Sequence, residues 1–254
     1  MKVFILVSLS FLSFSGFAFD QNHKVFDQLL KENVVFKGQQ SLVNYKSLKK
    51  NPAKLNDYLA SLSAVKKTEF DTWTAGNKLA FLINVYNAFT LKLIIDNYPT
   101  KSIKDLGTLF KSPWKKKFFK LFGKETHLDE VEHVMIRKNF DEPRIHFAVV
   151  CASIGCPPLH RFAFTGNLLE KQLKEATKVF LMDRDKNSYD PIKKKLKLSK
   201  IFKWYGDDFN KKYGGYLKFV STRITSDKKH QGLIAKDNVS SSWNSYDWNL
   251  NETK

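Results

Sequence analysis

Arginine is scarce in this sequence, although basic residues are abundant. Only five of the 43 basic residues are arginine, in a chain whose formal net charge is +18. Proteins that read bases or clamp phosphates rely on the planar fork of donors in arginine, which lysine lacks. The positive charge therefore does not indicate a nucleic-acid partner, and we expect none.

Long uncharged apolar runs are also missing, except at the amino terminus. Lys2 precedes an uncharged run over residues 3–19, and small residues occupy the positions that a signal peptidase reads. This run is short and rich in serine for a bilayer span, which takes roughly 20 mainly apolar residues. The pattern predicts a cleaved signal peptide over residues 1–18, a single globular domain over 19–254 and no transmembrane segment after cleavage. We therefore expect an exported protein, either periplasmic or secreted.

Cysteine occurs only twice, at Cys151 and Cys156. In an exported protein, two closely spaced cysteines favour a disulfide. The same pair is available for two other kinds of chemistry, because thiolates act as nucleophiles and as metal ligands. The sequence leaves these alternatives open, and the cofactor is unknown.

The periodicity of apolar residues predicts an α+β fold with more helix than strand, in one mixed domain around a central apolar helix over residues 77–97. A hairpin is predicted over 118–127 and a buried strand over 145–150; for that second segment, a short helix with Pro143 in its first turn is the alternative. The chain after residue 236 is predicted to be irregular. Further helices are predicted at 25–30, from 51–52 onward, and at 128–138, 168–182, 204–213 and 216–224, with a short extended segment at 196–198.

Residues able to carry chemistry gather between positions 127 and 160. Four of the six histidines, His127, His133, His146 and His160, lie there together with both cysteines. Glu132 falls on the apolar face of its predicted helix, where a carboxylate needs a partner. Asn84 and Asn87 share one side of the central helix, and buried amides likewise need partners. These three polar side chains predict either a structural network or the lining of a site.

Several ordered motifs resemble the family called domain of unknown function 547. They are residues 79–88 (LAFLINVYNA), Tyr98-Pro99, Ser102-Ile103, 128–133 (LDEVEH), 143–148 (PRIHFA), 150–159 (VCASIGCPPL) and 246–251 (YDWNLN). The resemblance runs from about residue 26 to 251, and Leu82 stands where the family usually carries tryptophan. It implies a single domain but no agreed reaction. Because similar proteins include exported bacterial and intracellular plant chains, it also implies that a disulfide is not the only use of the cysteine motif.

Three functions remain open at this point. The first is a cysteine-dependent hydrolase or transferase acting on an envelope or extracellular substrate, with Cys151 as nucleophile, a histidine (His133 or His146) as base and Glu132 orienting that base. If residues 145–150 formed a strand, His146 and Cys151 would face opposite ways, which favours His133 or His160 as the base. Asn84, Asn87, Arg144 and Ser153 are the candidate substrate-binding residues.

The other two functions are a Cys/His metal site and a non-enzymatic, disulfide-stapled module. The module would bind an anionic envelope polymer or a lipid surface through lysine and aromatic side chains. Two segments suit such a partner, residues 114–120 (WKKKFFK) and 193–197 (KKKLK). The competing interpretation is a solvated lysine face whose aromatic residues turn inward.

Overall fold

The computed structural model describes residues 18–108 and 111–253. The predicted signal peptide therefore lies outside the described residues, except for Ala18. The fold is α+β with more helix than strand, as predicted, and the strands of the described residues form three small sheets.

Eleven α-helices occur in the described part of the chain. They are α1 (Lys24–Asn33), α2 (Tyr45–Lys50), α3 (Ala53–Ala64), α4 (Lys67–Asp71), α5 (Ala75–Asp96), α6 (Leu128–Glu130), α7 (Leu169–Met182), α8 (Lys200–Trp204), α9 (Gly206–Tyr213), α10 (Tyr216–Ile224) and α11 (Lys228–Ala235). Helix α6 continues as a π-helical turn over Val131–Ile136, and 3-10 turns cover Ile103–Leu106, Pro113–Lys115 and Pro143–Phe147.

The strands pair mostly with neighbours in sequence. They are β1 (Val34–Lys37), β2 (Gln40–Val43), β3 (Phe119–Leu121), β4 (Lys124–Thr126), β5 (Ser188–Asp190), β6 (Lys195–Leu198) and β7 (Ser240–Trp243). The pairs β1–β2, β3–β4 and β5–β6 are antiparallel, whereas β7 joins β6 in parallel. The β3–β4 pair confirms the predicted hairpin.

Helix α5 is the centre of the molecule, in agreement with the predicted helix at 77–97. Its N-cap residue Thr74 accepts a hydrogen bond from the backbone N–H of Asn77, and the helix ends just before Tyr98-Pro99. The helix is long and apolar enough to cross a membrane, but 89% of its most apolar window is buried inside the protein. It therefore has the burial expected of a core helix, which is apolar all round.

Two hydrophobic clusters pack around these elements. The larger surrounds α5 and includes residues of α1, α2 and α3. The smaller lies mainly in the carboxyl-terminal half and includes Phe180, Phe202 and Phe209. Phe147 belongs to this second cluster, so the 3-10 turn that carries it lies where the two clusters approach each other.

The predicted strand at 145–150 is wrong, and the alternative short helix is confirmed. Pro143 begins the 3-10 turn Pro143–Phe147, and the side chain of Glu142 caps it by accepting the backbone N–H of Arg144 at 3.1 Å. Proline suits a first helical position because its ring presets the backbone and its missing N–H is not needed there. Because residues 143–147 do not form a strand, His146 and Cys151 need not face opposite ways.

Three other predictions need correction. The helix predicted at 204–213 is two helices, α8 and α9, separated at Tyr205. The helix predicted at 128–138 becomes a π-helical turn after residue 130. The tail predicted to be irregular contains β7, which pairs with β6 across a long sequence separation. Local patterns miss such a strand because its pairing partner is remote.

The lysine and aromatic residues of segment 114–120 separate as the competing interpretation proposed. Its lysines are exposed, whereas the ring of Phe119 stacks on Phe89 of α5 at 3.8 Å. The lysines of segment 193–197 are exposed as well, and Leu196 between them is fully buried. Both segments thus present their lysines to solvent, whereas Phe119 and Leu196 are buried.

The cysteine loop is held by the carboxyl-terminal segment. The backbone N–H of Gly155 donates to the carbonyl of Asp247 at 2.7 Å, and that of Ile154 donates to the carbonyl of Asn249 at 2.9 Å. A Cβ at position 155 would lie 2.9 Å from both the nitrogen and the carbonyl oxygen of Asp247, so only glycine allows this approach. The pairing brings Tyr246 and Trp248 beside Cys151 and Cys156.

Candidate functional site

A cleft of about 300 Å³ lies between the two clusters. Its walls come from α5, from the segment 129–133, from the cysteine loop, from the junction of α8 and α9, and from the carboxyl-terminal segment. Acidic and histidine side chains form one side: Asp129, Glu132, His133 and His146. The disulfide and a group of aromatic rings form the rest: Cys151, Cys156, Tyr86, Trp114, Trp204, Tyr205, Tyr246 and Trp248.

Glu132 is a buried carboxylate at this cleft, with 6% of its surface exposed. The π-helical turn Val131–Ile136 presents it, and turns of this kind occur frequently at functional sites. Tyr86 and Tyr205 lie close to Glu132. Burial is the main reason why the pKa of both phenols is raised, and the charge of Glu132 raises it further. The two hydroxyls therefore stay protonated and can donate to Glu132.

His146 is held by Asp208 and presents its second nitrogen toward Glu132. Its Nε2 lies 2.7 Å from the Asp208 carboxylate, and its ring stacks on Tyr205 with 3.8 Å between centroids. Its Nδ1 is buried and lies 3.9 Å from Oε1 of Glu132, and it has no hydrogen-bond partner among the described residues. Burial lowers the pKa of His146, and the neighbouring carboxylates only partly offset this. We therefore assign a neutral ring with the proton on Nε2 and a free lone pair on Nδ1.

Arg137 fixes the far side of Asp208. Its Nε and one terminal nitrogen donate to the two carboxylate oxygens of Asp208 at 2.7 and 2.8 Å. Burial opposes ionisation of Asp208, but the hydrogen bonds from His146 and Arg137 outweigh it and hold the pKa of this carboxyl well below its usual range. Asp208 is consequently an anion that anchors the His146 ring.

The same guanidinium reaches His133. Arg137 donates at 2.9 Å to Nδ1 of His133, whose Nε2 lies 3.7 Å from Asp129. Because arginine has no acceptor, Nδ1 of His133 is the acceptor and its proton is on Nε2. Asp129, His133 and Arg137 are spaced four residues apart, so one side of the helical segment carries this chain of contacts.

Cys151 and Cys156 form a disulfide, as one of the sequence alternatives predicted. Both sulfurs line the cleft. The Tyr246 hydroxyl lies 3.3 Å from Sγ of Cys151 and 3.2 Å from Sγ of Cys156, and the Ser153 hydroxyl lies 3.3 Å from Sγ of Cys151. The disulfide thus contacts two hydroxyl groups, of which that of Tyr246 belongs to the cleft lining.

Four aromatic rings form a continuous part of the cleft lining, which we call the aromatic wall. Tyr246 contacts Trp248 and Trp204 with centroid distances of 4.6 and 4.9 Å, and Trp114 extends the wall at 5.9 Å from Trp248. These pairs are inclined by 49°, 55° and 66°, so the rings do not form one flat platform. Trp204 is the most open of them, with 45% of its surface exposed.

Other candidate residues lie away from the cleft. Asn84 and Asn87 are buried and hydrogen-bond to backbone groups of residues 148, 150 and 164, which is the structural network of the first alternative. Ser153 is buried behind the disulfide. Arg144 pairs with Glu142 and Glu170 at a separate cavity. His160 packs against Phe162 in the larger cluster.

The described part of the chain has no set of ligands for the metal site considered from the sequence. No group of three or more His, Cys, Asp and Glu side chains there is arranged to hold a metal ion. Cys151 and Cys156, its proposed ligands, are bonded to each other.

Most of the partners of Glu132 and His146 were not among the residues predicted from the sequence. Asp208 and Tyr205 come from a segment with no motif, more than 50 residues beyond His146. The spacing of Asp129, His133 and Arg137 was available as a signal, since such a series shares one face of a helix. Tyr246 and Trp248 belonged to a noted motif, but nothing local linked them to the cysteines.

Residues 70–181 match the family described as Protein of unknown function, DUF547. This match covers α5, the acidic and histidine side of the cleft and both cysteines, whereas α8, α9 and the carboxyl-terminal segment follow it. No curated protein and no solved structure matches the chain.

Proposed function

We propose that this chain, whose residues 70–181 belong to the DUF547 family, is a hydrolase or transferase. It uses general acid–base catalysis in the cleft. The observation that carries the proposal is the alignment of Glu132, His146 and Asp208. Glu132 lines the cleft, and His146 Nδ1 lies 3.9 Å from it without a hydrogen-bond partner in the described residues. Asp208 holds the other ring nitrogen. Side chains paired in this way are typical of sites that move protons.

The chemistry follows from the two facing acceptors. Oε1 of Glu132 and Nδ1 of His146 lie 3.9 Å apart, and both are proton acceptors. Glu132 takes a proton from a water or hydroxyl group in the cleft, whose oxygen then bonds to the electrophilic atom of the substrate. The leaving group departs with the bonding electron pair and receives the proton from Glu132. Asp208 and Arg137 keep the His146 ring in place throughout.

The place of action that we propose is outside the cytoplasm, on an envelope or extracellular substrate. The predicted signal peptide supports it, and the disulfide is compatible with an oxidising compartment. Amino-terminal sequencing of the protein recovered from its host should find Phe19 as the first residue. An intact Met1 or Lys2 would contradict export by cleavage.

We expect Glu132→Gln to lower turnover by at least about 100-fold, the usual contribution of a positioned acid–base group. The glutamine keeps the size of the side chain but cannot accept the proton. The measurement is kcat on a panel of chromogenic esters, amides, glycosides and phosphodiesters. Glu125→Gln is the matched control, because Glu125 is exposed on β4 and is not among the described residues that line the cleft. Equal turnover in both variants, or no turnover of any substrate class, would exclude this function.

A cysteine-dependent reaction is the second candidate, and the position of both sulfurs in the same cleft supports it. Reduction by a dithiol would convert the disulfide into two thiols, with the hydroxyls of Tyr246 and Ser153 positioned to donate to a thiolate. The closed loop is short, so the disulfide stabilises the fold by only about 2 kcal/mol and its reduction should leave the protein folded.

The two candidates differ in their response to reduction. In the cysteine reaction, turnover appears only after dithiothreitol treatment and is lost in Cys151→Ser and after iodoacetamide. In the acid–base reaction, the oxidised protein is active and Cys151→Ser retains activity. Circular dichroism of each sample confirms that the fold survives reduction.

A further inference from the structure

The charge of the cleft is opposite to that of the whole chain. Basic residues outnumber acidic residues 43 to 25 in the sequence. Among the described residues that line the cleft, however, Asp129 and Glu132 are acidic and none is lysine or arginine. Arg137 lies behind the cleft, where its charge is taken up by Asp208. An anionic ligand would therefore meet like charge in this cleft, whereas a cation would meet two carboxylates.

The aromatic wall of the cleft also favours a cation. The faces of tryptophan and tyrosine rings carry partial negative charge and attract ammonium groups. Tyr246 contacts both Trp204 and Trp248, and all three side chains line the cleft. One ring already shows this preference, because the ammonium of Lys104 lies 5.1 Å from the centroid of Trp248.

A third observation points to a ligand that brings a proton or a positive charge to this side of the cleft. His146 Nδ1 is buried 3.9 Å from Oε1 of Glu132, and no donor in the described part of the chain contacts it. Two acceptors in this position attract a group that carries hydrogen-bond donors or positive charge. Carboxylates, a free lone pair and aromatic faces thus converge on the same chemical class of ligand.

We propose that the substrate group bound in this cleft is an alkylammonium group, held between the aromatic wall and the carboxylates of Asp129 and Glu132. This inference rests on the cleft that the proposed function uses and names its substrate class. The cleft volume of about 300 Å³ is at the lower end for ligand pockets, so the site fits a small molecule or one end of a larger one. An anionic polymer does not enter it.

The test is binding of choline compared with 3,3-dimethylbutan-1-ol, in which a carbon atom replaces the charged nitrogen without a change of shape. We expect choline to quench tryptophan fluorescence and to bind at least about tenfold more tightly than the neutral compound, as a desolvated cation–π contact and a carboxylate predict. Ethylammonium, a primary amine, should also bind more tightly than the neutral compound. Acetate, tested as the anionic probe, should not bind.

Matched variants locate the binding. Trp204→Leu and Asp129→Asn should each weaken choline binding by roughly fivefold or more, because one removes an aromatic face and the other a negative charge. Trp243→Leu is the control for Trp204, since Trp243 is similarly exposed, with 36% of its surface accessible, and does not line the cleft. Glu125→Gln is the control for the loss of charge.

Equal binding of choline and its neutral isostere, or unchanged binding in Trp204→Leu and Asp129→Asn, overturns the alkylammonium proposal. Preferential binding of a neutral sugar or of acetate overturns it as well. These results leave the catalytic proposal standing if the loss of turnover in Glu132→Gln is still observed. Conversely, specific choline binding without any turnover contradicts the catalytic function alone.

Discussion

Lowering the pH from 7 to 4 is expected to remove about 3 kcal/mol of stability for each of two buried histidines, His23 and His160. Burial lowers the pKa of each from 6.5 to about 4. Each shift of one pKa unit corresponds to about 1.4 kcal/mol. The combined loss, about 6 kcal/mol, is comparable to the whole stability of many domains.

The direction follows from the protons bound in each state. Between pH 6.5 and 4, the unfolded chain holds a proton on these histidines and the folded protein does not, so protonation favours unfolding. Their contribution is fully present above pH 6.5 and is lost as the pH falls toward 4. His146 acts in the same direction, because burial also lowers its pKa.

Urea unfolding, followed by tryptophan fluorescence from pH 4 to 8, measures this loss. In His160→Phe the slope of stability against pH should fall by up to one proton, because phenylalanine fits the aromatic surroundings of Phe162 and Phe164 but does not titrate. The control, Phe162→Leu, should lower stability by the same amount at every pH. Parallel curves for the original protein and His160→Phe between pH 4 and 6.5 would show that His160 is not a buried neutral base.

Replacement of Asn84 or Asn87 by leucine is expected to lower the free energy of unfolding by about 4 kcal/mol at each position. Asn84 donates to the carbonyl of Phe164 at 2.7 Å and accepts its N–H at 3.0 Å. Asn87 donates to the carbonyl of Ala148 at 2.8 Å and accepts the N–H of Val150 at 2.9 Å. Leucine would leave two buried backbone groups without partners at each site, at about 1–3 kcal/mol per group.

The comparison that tests this uses Asn56→Leu, a substitution of the same kind at an exposed position of α3. A surface change of this sort stays within about 0.5 kcal/mol. Chemical denaturation of the three variants gives the values directly. If Asn84→Leu and Asn87→Leu were as stable as Asn56→Leu, the two amides would not be structural clamps and their assignment to substrate binding would return.

The prediction of the fold succeeded where a segment carries its own signal. Helix α5 is apolar on every side, and a helix of this kind is buried on every side. Its position at the centre of the fold therefore follows from its residues alone. The hairpin at β3 and β4 is equally local, because Gly123 permits the positive φ of its turn. The segment after Pro143 was ambiguous, since its apolar residues suit a strand or a short helix; the proline at its start and the cap from Glu142 decide for the helix.

The candidate site was predicted in part. Glu132, His133, His146 and Cys151 line the same cleft, and their clustering between positions 127 and 160 had indicated a site there. The cleft lining does not include Asn84, Asn87 or Arg144. Backbone groups hydrogen-bond to the two amides, and carboxylates pair with the guanidinium of Arg144. A buried polar side chain in a sequence has the same appearance whether its partner is a ligand or the protein itself.

The scarcity of arginine and the two cysteines set limits that hold from the sequence alone. They weigh against a nucleic-acid partner and restrict sulfur chemistry to one short loop. The tertiary structure alone placed Asp208 behind His146 and gathered Trp204, Tyr246 and Trp248 around that loop, because these contacts join segments that are far apart in the chain. It also concentrated carboxylates in the cleft of a basic chain. Net charge depends on composition, whereas the local charge that a ligand meets depends on which side chains the fold brings together.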